Sequence, residues 1–95
     1  MGQGYEVVCY IISTHYGTYY AGITNSLVRR WHEHSTGQSK YLGIYKPKEV
    51  VWIEVYEDYK AAARREREIK RKGVGKFFKN WKIQSGYYNA TINQR

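Results

Sequence analysis

The chain has 95 residues, enough for one compact domain and too few for two. Its 42% hydrophobic and 25% charged residues give a globular balance and exclude a disordered chain, and no stretch is long and apolar enough to span a bilayer. The formal net charge of +8 is a strong field at this length; its clustered cations favour a polyanionic partner, with nucleic acid ahead of an anionic membrane surface.

The N-terminus, MGQGYEVV, has no basic region followed by an apolar one, so no secretory signal is expected. Tyr5 to Ser13 is rich in β-branched and aromatic residues and apolar almost throughout, which predicts a central strand covered on both faces. Within it lies Cys9, the only cysteine. It rules out an internal disulfide and a cysteine-based zinc site, fits a cytoplasmic location, and is expected to be a small buried hydrophobe. Thr14 to Gly17 reads as a turn, and Thr18 to Ile23 as the second strand of a hairpin. Gly22 inside that strand marks a bulge or a close approach to the backbone.

Thr24 to Ser26 supplies a helix N-cap, followed by a helix over LVRRWHEHS with Leu27 and Trp31 as its core anchors. Gly37 fits its C-terminal cap. Tyr41 to Lys48, which holds the single proline, Pro47, reads as a loop. Glu49 to Tyr56 is the third strand; its alternation is imperfect, with Val51, Ile53 and Val55 on one face and Trp52, Glu54 and Tyr56 on the other. Asp58, or the Glu57-Asp58 pair, opens a second helix through KAAARREREIKRK, which Gly73 and Gly75 break. Lys76 to Lys82 forms a short third helix burying Phe77, Phe78 and Trp81, and a polar, partly ordered tail follows, so that the domain core spans about residues 5–82. The expected order is β-β-α-β-α-α: an α+β fold with a small three-stranded antiparallel sheet flanked by helices.

Composition also points to a polar-edged surface, because 11 tyrosines stand against only 2 phenylalanines. Tyr10 and Tyr20 fall on paired strands, where either is ordinary sheet packing if taken singly. Arg30 and His34 lie one helical turn apart. Arg30, beside Leu27 and Trp31, is near the sheet side of its helix, where a guanidinium can clamp a phosphate oxygen, and His34 can move a proton near neutral pH. His15, His32 and Arg29 read as surface residues. Glu66 and Glu68 both have lysines at i+4, so composition does not choose between them. Phase does: Ala62, Glu66 and Ile69 form the stripe expected to face the sheet. A carboxylate on the inner side of a basic helix suits a divalent cation. Together these residues make a kit for phosphodiester hydrolysis.

On these residues the chain resembles the GIY-YIG nuclease family. Val8-Cys9-Tyr10 stands where the family has Gly-Ile-Tyr, and Tyr20-Ala21-Gly22 where it has Tyr-Ile-Gly. Thr24, Leu27, Arg30 and His34 follow the family's T-x-x-L-x-x-R-x-x-x-H spacing, REREIK matches R-E-x-x-I-K and selects Glu66, and Asn80 lies at a suitable distance for a late asparagine. The departures fall at non-catalytic letters. The resemblance implies a sheet with the first strand central and one Mg²⁺ (or Mn²⁺) held by Glu66, water and substrate. It also implies Tyr10 as general base, Tyr20 positioning it, Arg30 on the scissile phosphate, and His34 in proton transfer or orientation. Gly22, Lys40, Lys70 and Asn80 are the expected nucleic-acid contacts, with Lys46, Lys48 and Lys76 adding charge.

The leading expectation is a metal-dependent DNA endonuclease, structure-selective or of low sequence specificity, in repair or recombination. With nothing in the chain that reads a sequence, specificity falls to DNA structure, a protein partner or a dimer. The runner-up is a non-catalytic basic nucleic-acid-binding module, and a structural interaction domain is third.

Overall fold

The computed structural model describes residues 6–38 and 40–85. The elements in chain order are β1 (Val7–Thr14), β2 (Tyr19–Thr24), α1 (Leu27–Ser35), α2 (Lys40–Tyr45), β3 (Pro47–Tyr56), α3 (Tyr59–Lys72) and α4 (Val74–Ser85). The three antiparallel strands lie in the order β2-β1-β3, so the most apolar strand is central, as its composition requires. Alternate residues of β1 feed two cores. Cys9 and Ile11 pack with Ala21, Trp52, Ile69, Phe77 and Phe78 under α3 and α4. Tyr10 and Ile12 pack with Leu42, and with the partly buried Leu27, Trp31, Tyr20 and Tyr41, under α1 and α2.

Local chemistry sets the element ends. In the hairpin turn, Thr14 Oγ1 accepts the backbone N–H groups of Tyr16 and Thr18, both at 3.2 Å, while Gly17 takes the left-handed φ of 81°. Ser26 caps α1 by accepting from Arg29 N at 3.3 Å, and Asp58 caps α3 by accepting from Ala61 N at 2.9 Å. Lys70, Arg71 and Lys72 close α3 where cations complement the helix dipole.

Four details differ from the sequence reading. The segment taken as a loop contains α2, which ends where Lys46, at φ 59°, turns the chain into β3. A helix of six residues is too short to display a period, but burial of Leu42 holds it down. β3 begins at Pro47 rather than Glu49. Its broken alternation is a register shift: Ile11 pairs with Trp52 but Ile12 pairs with Val50, so Val51 is an extra residue and joins the same core as Trp52. Only Gly73 breaks the chain between the last two helices, since Gly75 lies inside α4, which runs on to Ser85; the expected tail beyond it lies outside the described residues. No helix among the described residues is long and apolar enough to cross a membrane.

Leu42 makes α2 part of the core, so Leu42→Ala is expected to lower the unfolding free energy by about 2–5 kcal/mol in urea titrations. Ile44→Ala, on the exposed side of the same helix, is expected to change it by less than about 0.5 kcal/mol.

Candidate active site

The site forms where β1, β2 and α1 meet. Tyr10 pairs with Gly22 across the β1–β2 ladder, and its ring lies over that glycine. A Cβ at Gly22 would sit 2.5 Å from Tyr10 Oη and 2.7 Å from Cζ, so only glycine leaves room for the ring. The close approach read from the sequence is therefore made by the protein itself. Gly22 is buried, with the Tyr10 ring over it.

Tyr10 is only 1% exposed, and its Oη hydrogen-bonds His34 Nε2 at 2.9 Å. His34, at 2%, is the deepest residue of α1, while Leu27 and Trp31, the expected anchors, are only partly buried. His34 Nδ1 is buried without a partner. A buried unpaired N–H is costlier than an unused lone pair. This favours the tautomer with the proton on Nε2, donating to Tyr10 Oη. Burial and the Arg30 charge lower the His34 pKa from 6.5 and keep the ring neutral. Tyr10 is pushed above the usual phenol range, first by burial and then by Tyr20 and Glu66, while Arg30 pulls the other way.

Arg30 lies one turn before His34. Its Nη1 meets Glu33 Oε1 at 3.1 Å and its Nε is buried with no partner, while the side chain as a whole is 38% exposed. Tyr20 touches the cluster through its ring, edge-on to His34 at 5.3 Å. Glu66 arrives on α3 from the opposite layer. Its side chain is 21% exposed, paired with Lys70 Nζ at 3.2 Å, and its charge acts on both Cys9 and Tyr10. Glu68 is 50% exposed and is tied to Arg65 Nη1 at 3.3 Å. Arg65 also donates from Nε to Glu54 at 2.8 Å and lies over the Phe77 and Trp52 rings, at 5.0 and 5.8 Å from their centroids. Tyr56 donates to the same Glu54 carboxylate. This network clamps α3 against β3. Nothing local to Arg65 marks this role, because its partner Glu54 and the Tyr56 that shares it are distant in the chain.

Of the other expected residues, Lys40 is exposed at the start of α2 and Lys70 is bound to Glu66. Asn80 lines a separate depression of about 500 Å³ with Lys76, Lys79 and Tyr19, in the α3–α4 layer and apart from Tyr10. No group of three or more acidic, histidine or cysteine side chains that could hold a metal ion occurs among the described residues. A cation at Glu66 would have that carboxylate, with water and phosphate oxygens to complete its shell, a hard oxygen set that suits Mg²⁺.

Two measurements test this geometry. Because folding holds the His34 pKa below 6.5, the unfolded chain takes up a proton that the folded one refuses as pH falls through that value. Wild type is therefore expected to lose more stability between about pH 7.5 and about pH 5 than His34→Gln, in urea titrations at each pH. Gly22→Ala is expected to cost about 1–3 kcal/mol, and part of that loss should be recovered in Gly22→Ala/Tyr10→Phe, which removes the nearest atom.

No curated protein and no solved structure matches the chain. The GIY-YIG catalytic domain family matches it over residues 6–76, which takes in Tyr10, Gly22, Arg30, His34 and Glu66. The chain belongs to the GIY-YIG family of nucleases.

Proposed function

We propose that this chain is a divalent-metal-dependent endonuclease that hydrolyses DNA phosphodiester bonds, selecting DNA structure or showing low sequence specificity. One observation carries the reading: a tyrosine hydroxyl is bonded to a buried histidine and lies within the fields of an arginine and a carboxylate, in a domain of net charge +8.

Each residue then has a task. The exposed part of the Arg30 guanidinium binds the scissile phosphate and offsets the charge that builds there. His34 Nε2 donates to Tyr10 Oη, and this hydrogen bond becomes stronger when the hydroxyl loses its proton. Tyr10, as phenolate, takes the proton of the attacking water; the water oxygen bonds to phosphorus and the bond to the leaving strand oxygen breaks. Tyr20 holds the His34 ring from its edge. Glu66 would hold the Mg²⁺ or Mn²⁺. A cation there would supply Lewis-acid stabilisation of the phosphate and would offset the Glu66 charge that raises the Tyr10 pKa. Lys40, Lys46, Lys48 and Lys76 provide phosphate contacts that add affinity without sequence information. A protein partner or a dimer would supply any sequence preference, and structure selectivity suits repair or recombination.

The test is a cleavage panel of plasmid, branched and single-stranded DNA with Mg²⁺, Mn²⁺ or EDTA. Wild type is expected to cut in either metal and not in EDTA, at a rate that rises with pH as more phenolate forms. Tyr10→Phe and Glu66→Ala are expected to lose at least about 100-fold in rate while still binding DNA. Binding without cleavage of any substrate would instead identify a non-catalytic nucleic-acid-binding module.

A further inference from the structure

A row of tyrosines leads away from the site along the α1–α2 face. Tyr20, which meets His34, stacks on Tyr41 at 5.5 Å between ring centroids; Tyr41 meets Tyr45 at 4.6 Å, and Tyr45 meets Tyr16 edge-on at 5.9 Å. Tyr41 and Tyr45 are one turn apart on α2. The His15 backbone N–H donates to Lys46 O at 3.1 Å, which fixes the hairpin tip against the exit of α2 and so brings Tyr16 to the end of the row.

Packing against the Tyr10 core accounts for the Tyr20 and Tyr41 rings but not for the end of the row. Both phenylalanines of the chain lie in the other layer, whereas this face uses tyrosine at each step. Tyr16 is 70% exposed and buries little. The exposed Lys40 and Lys46 flank Tyr41 and Tyr45 in the chain and add positive charge at the two ends of α2.

We propose, building on the nuclease reading above, that this row is a stacking track for unpaired bases of the DNA strand being cut. Stacked aromatic rings beside lysines bind single strands with little sequence preference, because every base has a π-face and every nucleotide a phosphate. Ring centroids this close leave no room for a base between them, since an inserted base needs about twice the ~3.4 Å stacking distance. The faces that Tyr20, Tyr41 and Tyr45 turn to one another are closed to bases, so an unpaired base stacks at the end of the row, on the exposed Tyr16 ring. A paired duplex keeps its bases stacked on one another and cannot use the track. The favoured substrate is a duplex with a single-stranded extension next to the scissile phosphate, the extension running from Tyr20 towards Tyr16.

The experiment compares the affinity of the full-length protein, in EDTA, for a DNA duplex and for the same duplex with a single-stranded extension that carries 2-aminopurine. Wild type is expected to prefer the extended duplex and to change the probe's fluorescence. Tyr16→Ala, an exposed position that the fold does not need, is expected to reduce that preference about 10-fold and to abolish the fluorescence change. Tyr16→Phe and Tyr16→Trp should keep both, since stacking needs the ring and not the hydroxyl. If Tyr16→Ala lowers both affinities equally, or neither, the track is overturned. A wild type that cuts DNA but shows no preference for the extension overturns the track and leaves the nuclease reading standing. A wild type that neither binds nor cuts DNA overturns both.

Discussion

The contact between the Tyr10 ring and the Gly22 backbone is the constraint from which the rest of the site follows. β1 is the central strand, so a side chain on it is enclosed unless a neighbouring residue leaves a gap. The missing Cβ at Gly22 is that gap. Through it the phenol reaches His34 on α1, and its depth explains both the raised Tyr10 pKa and the neutral histidine. A hydroxyl placed here is withheld from bulk water, and the groups that act on it are His34, Tyr20, Arg30 and Glu66.

The site draws on both helical layers. The α1–α2 layer brings Arg30 and His34, and the α3–α4 layer brings Glu66. Each layer is held to the sheet by contacts of its own. Ser26 and the buried His34 locate α1. Ile69 and the Arg65–Glu54–Tyr56 network locate α3, and they do so from the side away from Tyr10. The positioning of the carboxylate is thus a property of β3 as much as of α3.

Much of this was legible in the sequence, and the reasons can be named. The apolar run around Cys9 predicts a central strand because only a strand covered on both faces tolerates it. Ser26 and Asp58 mark helix starts because each has a side-chain oxygen to offer free backbone donors. Helical phase separates Glu66 from Glu68 and agrees with their different exposures. What could not be read depends on distant residues. Helix α2 is too short to show a period and exists because Leu42 is buried. The odd alternation of β3 is visible in the sequence, but the bulge that causes it depends on pairing with Ile11 and Ile12. Nothing local tells that His34 lies deeper than Trp31, or that the neighbour Gly22 admits is Tyr10 rather than a ligand.

Cys9 shares the central strand with Tyr10 but faces the other core. It is fully buried, and burial together with the Glu66 and Glu54 charges pushes its thiol pKa up to about 12. Thiolate is the reactive form, so the only sulfhydryl of the chain is silent as long as the sheet is closed. An alkylating reagent would therefore count only molecules in which β1 has left its neighbours. The strand that presents the Tyr10 hydroxyl carries, on its reverse face, an intrinsic gauge of its own opening.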